Sequence, residues 1–571
     1  MKESLNKHAH WLLTFVFGIV VFLFWRFRYP FVLTYQEQLQ LFLFDSDYFI
    51  SRMAVPGDFA RYVAEFLVQF FNGVTIGALI LAILYMMVQR LIWQLIKDLA
   101  DDRYYLLSFL PVLMLWYAMG DESVMPTYVV ALVMALALMV ILRRLFKRYE
   151  KKGKLAKIGI LLVLIPFIYW LIGPMVLLVA VGTWPISVVY ALACMLVCSR
   201  FVPYPLLRVF IGIGYYRFPE TLPHILIAIP VVILALSYGL SFMDGRHVIR
   251  KYGKWGAITS LALLILGFVL VPYGFQSKKY ELIEYDYLVR VKDWNGVIAK
   301  AERQSPDLPM SVSATNLALG MTNQLGDRAF NFFQRGTGGL LPKFERNFAT
   351  TQLTGEIYFH LGLVNTAQRL AFEAMEAIPN YNKSARVVKR LAETNLINGE
   401  YEVARKYLQM LEKTFFYRRW AQRTMALIGH EDKINAHPLY GLMRKNRLQE
   451  DLLFSEQELD KICGQLFLHN PQNQMAAQYL LMIPLLERDI AKFMSYIQVV
   501  QSQIPYNPRH CQEALAFAYM EQRQQPPQGL IDDFILQGMN NYSQIYGSGG
   551  KDAPGLAQFR NTVWYYLTVG K

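Results

Sequence analysis

Two short acidic clusters carry the chemistry that this sequence could do. Asp45 and Asp47 stand one residue apart in LFLFDSDYF, surrounded by Leu41, Phe42, Leu43, Phe44, Tyr48 and Phe49. Asp121 and Glu122 are adjacent, directly after an apolar run ending in WYAM. Carboxylates among aromatic and aliphatic side chains are destabilising unless they are solvated, paired or coordinating a cation. Other chemical motifs are absent. The nine histidines are scattered with no HExxH, and YGSGGKDAPG has Ile545 and Asp552 where a phosphate loop needs Gly and Ser or Thr. Cys194 and Cys198 are spaced i,i+4 on an apolar segment without further ligands nearby. Cys463 and Cys511 lie far apart, and pairing between them needs an oxidising compartment.

The elements holding these acids are membrane helices. A span needs about 20 mainly apolar residues, and residues 11–27, 72–96, 104–119 and 126–142 read as the first four. From Ile158 to Tyr216 the chain is almost continuously apolar but interrupted by Pro166, Pro174, Pro185, Pro203 and Pro205, which predicts short, broken helices buried among neighbours. Residues 223–242 and 256–272 complete the set. The loop Arg143–Lys157 carries eight Lys and Arg against Glu150 alone, which places it in the cytoplasm. The Asp45–Asp47 stretch and the Asp121–Glu122 loop then share the outer side. The basic loop Arg246–Lys254 should also be cytoplasmic, so an even number of crossings lies between the two basic loops. Four crossings give about nine spans and an external C-terminal half; eight spans, with that half in the cytoplasm, is the alternative.

Residues 28–71 are long for an outer loop. Within them Phe59, Tyr62, Val63, Phe66, Leu67 and Phe70 fall on one helix face after the breaker Pro56–Gly57, as expected of a helix lying along the membrane surface. Residues 1–275 hold 24 Lys and Arg against 14 Asp and Glu, whereas 276–571 are nearly balanced. The basic excess therefore belongs to membrane-flanking loops and points to lipid rather than nucleic acid.

Residues 276–571 read as an all-α repeat domain. YFHLGLVNTAQRLAFEAMEAIPNY and LAETNLINGEYEVARKYLQMLEKTFF align on Gly362 and Gly399, with Ala367 and Ala404 five residues later, then Ala371 and Leu408, then Ala374 and Leu411. Pro379 closes the first copy, Gly326 and Asp293 mark two looser copies, and LLERDIAKF a weaker one. This resembles the tetratricopeptide pattern, whose helix pairs stack into a solenoid that commonly binds peptides.

A long first outer loop with acidic residues and a surface-lying helix resembles the GT-C class of membrane glycosyltransferases. That resemblance implies a lipid-linked sugar donor, with catalysis by Asp45 or Asp47 and by Asp121 or Glu122, and a divalent metal (Mg or Mn) on acids such as Asp47 and Asp121. A carboxylate would orient or deprotonate an acceptor hydroxyl, and the cation would hold the donor's phosphates. The WWDYG-type acceptor motif of N-glycosylating members is absent. The chain as a whole looks like a family of Bacteroidota integral membrane proteins with this two-part organisation and no established activity. Two functions follow as expectations: a glycosyltransferase of the bacterial inner membrane, its repeat domain recruiting acceptor on the periplasmic side, or a non-catalytic membrane-anchored scaffold whose repeats grip a protein or peptide partner in an envelope complex.

Overall fold

A computed structural model describes the chain apart from residues 1, 98–101, 149–152, 213–214, 216–222, 245–252, 344, 346–347, 379–381, 450–457 and 571. Pro379, most of the basic loop at 246–254 and the middle of the loop at 143–157 lie outside the described residues. Among the described residues the chain is all-helical, with no strand. It divides into two compact units. The first takes in residues 1–280 together with 378–386 and 410–419; the second takes in 281–377, 387–409 and 420–571.

Among the described residues of the first unit, five helices are long and apolar enough to cross a membrane: His8–Arg28, Val74–Ile96, Pro126–Arg148, Lys157–Thr183 and Ala257–Gly274. Three shorter apolar helices, Tyr104–Ala118, Ser187–Cys198 and His224–Gly239, accompany them. The proline-rich block is less fragmented at its start than its prolines suggest. Pro166 is carried inside the helix Gly153–Ile172, and Pro174 opens a single 3-10 turn, so one helical run continues to Thr183. Only Pro185, Pro203 and Pro205 lie between helices, where a missing N–H leaves no ladder bond unmade.

Five helices frame the site described below: α1 (Lys2–Leu23), α2 (Pro30–Glu37), α3 (Ser46–Met53), α4 (Asp58–Val68) and α5 (Val74–Ile96). Pro30 starts α2 at the position where a helix needs no N–H donor. Gly57 precedes α4 with φ +89°, a left-handed conformation that glycine adopts without strain. Its N–H donates to Trp170 O at 2.7 Å, and the Tyr215 hydroxyl donates to its carbonyl. The Trp170 indole N–H in turn donates to Met53 O at 2.9 Å, so the 28–71 segment is fastened to the apolar helices at this bend.

In the second unit consecutive helices pack on one another, as Phe348–Leu361 does on Val364–Glu376 and Leu459–His469 on Gln474–Glu487, and the two segments aligned in the sequence share one turn geometry. Gly362 (φ +104°) and Gly399 (φ +85°) both end a helix in the left-handed conformation. Each is followed by the same closing bond, Leu363 N–H to Tyr358 O and Glu400 N–H to Asn395 O, at 2.9 Å. Ala367, Ala371 and Ala374 are buried, as are Ala404, Leu408 and Leu411. The looser copies differ. Gly326 sits inside the one-turn helix Leu325–Arg328, and the left-handed position before it is taken by Asn323. Arg488 has that conformation in the last copy, where Asp489 then caps the next helix by accepting from Lys492 N at 2.9 Å. Cys463 and Cys511 are free thiols, both buried in the core of this unit.

Candidate functional site

Three of the four acids singled out in the sequence, Asp45, Asp121 and Glu122, hold local structure. Asp45 stands at the N-cap of α3 and accepts from Lys413 Nζ at 2.9 Å, while the neighbouring Phe44 N–H donates to Lys413 O at 2.7 Å. Asp47 is exposed in the first turn of α3. Asp121 Oδ1 accepts from Ser123 N at 3.1 Å and from Ser123 Oγ at 2.7 Å, shaping the turn that enters the helix Pro126–Arg148. Glu122 pairs with Lys279 at 3.0 Å, next to Tyr280, whose hydroxyl donates to Gly120 O at 2.7 Å. Among the described residues, no group of three or more His, Cys, Asp or Glu is placed to hold a metal ion.

A different set of polar side chains is gathered in the interior of the first unit. It begins where α2 ends, in the run YQEQLQ. Gln36, Glu37, Gln38 and Gln40 are all buried. Their partners come from three directions. Gln36 Nε2 donates to the carbonyls of Val124 at 3.1 Å and Glu122 at 3.3 Å, so the 28–71 segment meets the turn before the helix Pro126–Arg148. The Tyr417 hydroxyl donates to Glu37 Oε1 at 3.1 Å. Arg386 Nη1 donates to Gln38 Oε1 at 3.1 Å, while Gln38 Nε2 closes back onto Thr34 O at 3.1 Å.

Helix α4 supplies a second polar face. Asp58, Arg61 and Glu65 lie at i, i+3 and i+7, on one side of a helix. Arg61 Nε donates to Glu65 at 2.9 Å and Nη1 reaches Asp58 at 3.4 Å, with all three side chains at most 3 % exposed. Arg52 joins from α3 at 2.9 Å to Glu65, which also accepts from the Tyr48 hydroxyl. Arg61 further donates to Asn382, on the same short segment as Arg386. Burial pushes the Asp58 carboxyl up to about 6, against the opposing pull of Arg61 and Arg52. The neighbouring carboxylates of Glu65 and Asp58 instead hold the Arg61 guanidinium charge in place despite its burial.

Several polar atoms here have no hydrogen-bond partner among the described residues. They are Gln36 Oε1, Gln40 Oε1, Asp58 Oδ1, Asn382 Nδ2 and Ser384 Oγ, all buried. A buried polar atom left without any partner costs about 1–3 kcal/mol. Groups of this kind call for a reason, and polar-ligand recognition is one that explains their clustering. The cluster as a whole offers amide acceptors, an amide donor, a hydroxyl, three guanidinium groups (Arg52, Arg61 and Arg386) and three carboxylates (Glu37, Asp58 and Glu65). That inventory suits a polyhydroxylated or phosphorylated ligand.

The apolar face read from the sequence at 59–70 is present on α4, and the structure adds a buried charged face beside it. The aromatic face of α4 is partly exposed, with Phe66 at 37 %, while the charged face is buried. The i, i+3, i+7 spacing of Asp58, Arg61 and Glu65 was a signal for this. So was a run of four polar residues, Gln36–Gln38 and Gln40, inside an otherwise apolar stretch.

Comparison with known proteins places the whole chain in one family: residues 6–570 match the model of DUF6057, a family of unknown function, and the chain belongs to it. No curated protein and no solved structure matches the chain.

Proposed function

We propose that the protein is a GT-C-like membrane glycosyltransferase in which Glu37 is the general base. What carries this reading is a buried carboxylate at the end of α2, the short helix that follows the first apolar one, held by Tyr417 and flanked by Arg386 through Gln38. In the proposed reaction Glu37 takes the proton of an acceptor hydroxyl as its oxygen bonds to the anomeric carbon of a polyprenyl-phosphate-linked sugar. The bond between that carbon and the phosphate oxygen breaks, and the electron pair leaves on the phosphate. Arg386 is the cation for this leaving group. Asp45, Asp121 and Glu122 then have positioning roles. Asp45 anchors the loop that carries Tyr417, and the carbonyl of Glu122 receives Gln36. The acids implied by the resemblance do not form a metal-binding set with a third ligand, and no step is routed through a cation. On this reading the protein resides in a bacterial inner membrane, with tetratricopeptide-like repeats on the periplasmic side recruiting acceptor.

The test is transfer from polyprenyl-phosphate-linked sugars, in membranes carrying the protein, to endogenous protein or glycan acceptors. Glu37→Gln abolishes transfer, while Asp45→Asn and Asp47→Asn retain most of it. Undiminished transfer by a folded Glu37→Gln variant overturns the assignment.

A second reading, a membrane-anchored scaffold, draws on the second unit. The helix Val364–Glu376 lines a pocket of about 320 Å³ with Gln368, Arg369, Phe372 and Glu373, and Phe372 is 39 % exposed. An aromatic ring between opposite charges suits a peptide. A stoichiometric partner that co-purifies with the wild type and is lost with Phe372→Ala plus Arg369→Glu supports the scaffold; retention of that partner by the variant argues against this surface.

A further inference from the structure

One loop of the first unit joins the buried polar cluster to a continuous aromatic surface. Residues 413–419 read KTFFYRR and follow the helix Tyr401–Glu412. Tyr417 turns inward to Glu37. Phe415 and Phe416 turn the other way and pack on Phe70, with ring centres 5.9 and 5.8 Å apart. Phe70 stands four residues before α5, a span-length helix, so this contact lies at the end of a membrane crossing. From Phe70 the ring contacts run on through Phe66 to Phe42 and Phe44, and from Phe42 through Tyr62 to Phe49, each between 5.0 and 6.3 Å.

The outer side of this aromatic surface is bare. Phe415 is 60 % exposed and Ile50 63 %, and Phe44, Phe49 and Phe66 are each more than a third exposed. Exposed Arg418 and Arg419 follow directly. On α5 itself Ile76, Leu79, Ile83 and Met87 form an exposed apolar stripe at i, i+3, i+7 and i+11, as a lipid-facing side requires. Aromatic rings collect where the hydrocarbon core meets the headgroups, and arginine near that level pairs with anionic lipid phosphates.

We propose that residues 413–419 seat in the headgroup layer of the bilayer, with Phe415 immersed beside the first outer loop and Arg418 and Arg419 on anionic lipid. The occupant of this surface is lipid because the aromatic surface starts at the foot of a span and ends in cations. The proposal goes beyond the transferase reading and holds whether or not Glu37 is a base. It also couples the bilayer to the buried cluster, since the same loop carries Tyr417.

Nitroxide labelling of the full-length protein tests it. Phe415→Cys, in a chain with Cys194 and Cys198 replaced by Ala, is reconstituted in nanodiscs of mixed phosphatidylcholine and phosphatidylglycerol. Collision rates are then measured with oxygen, which concentrates in lipid, and with a water-soluble nickel chelate. Leu79→Cys serves as the lipid reference. The expected result is oxygen accessibility several-fold above nickel accessibility, at a shallower depth than position 79. Nickel accessibility above that of oxygen overturns the proposal, and so does protection from both reagents, which reports a protein partner instead. Ile50→Cys lies on another element of the same surface and gives the same reading if Phe415→Cys does not fold. Arg418→Glu with Arg419→Glu moves the label toward water in the anionic discs; an unchanged depth overturns the pairing with lipid phosphate.

Discussion

Replacing Asp58 by asparagine stabilises the first unit at neutral pH and does nothing at acid pH. The folded carboxyl has a pKa of about 6, against 3.8 for the ordinary group, with burial as the main cause. The folded state therefore binds more protons than the unfolded state between these values. The contribution of Asp58 is fully favourable below about 4 and is lost as pH rises through 6. A difference of roughly two pKa units corresponds to about 3 kcal/mol at pH 7. Asparagine keeps the shape of the side chain and forfeits one long contact to Arg61 at 3.4 Å, while the 2.9 Å bond from Arg61 to Glu65 remains. His360 slopes the opposite way in an overlapping window. Burial lowers its pKa to about 4, so its contribution is complete above 6.5 and falls away toward pH 4. The informative quantity is thus the difference between variant and wild type, not either curve alone. Thermal melts in nanodiscs at intervals from pH 4 to 7.5 should show no gap at the acid end and a variant several degrees more stable at pH 7. A wild type more stable than the variant at pH 7, the gap closing on acidification, would mean that attraction to Arg61 outweighs desolvation, refuting the reasoning.

Two further perturbations probe the frame. In the second unit Arg390 contacts both oxygens of Glu356 at 2.7 Å, Glu393 at 3.0 Å and the face of Phe359 at 3.7 Å. Arg390→Met removes the nearest cation from two buried carboxylates and is expected to destabilise by about 3–5 kcal/mol, read as a lowered melting temperature together with faster proteolysis within 281–571. Gly57→Val forces a β-branched residue into the left-handed region and sets a Cβ 2.8 Å from Gly173 Cα; a loss of at least about 1–3 kcal/mol should appear as a collapsed monodisperse peak in detergent, whereas an unaltered profile would show that the bend can relax.

Much of the architecture was readable from the chain because it is encoded locally. Long apolar runs gave helices of span length, and the spacing from Gly362 and Gly399 to their small residues gave two equivalent helix pairs. Gly326 misled because glycine is only one of several residues that can take a left-handed turn, and Asn323 took it instead. The polar cluster was less visible for a different reason. Gln38 meets Arg386 across 348 residues and Glu37 meets Tyr417 across 380, and no pattern in a single sequence ties such positions together. Asp45 and Asp47 drew attention because acids among aromatics look costly, yet Asp45 is satisfied by a lysine equally remote, Lys413. The aromatic face of α4 was correctly placed on one side of a helix. The burial of the charged face of α4 was less legible, because that face is completed by partners outside α4, Arg52 and Asn382.

The long-range bonds of Gln38 and Glu37 also set a clock on biosynthesis. At about 5–20 residues per second, a ribosome needs on the order of twenty seconds to a minute or more after making Gln38 before Arg386 exists. Throughout that interval the nascent chain carries Gln36, Glu37, Asp58 and Arg61 without the segments that complete their surroundings. The inserted helices are then a dependent client of their own downstream sequence, open to quality-control proteases and to chaperones that shield polar groups near the membrane. Premature termination anywhere before residue 386 leaves this nascent state permanent, and such fragments should be degraded rather than accumulate as a membrane stub.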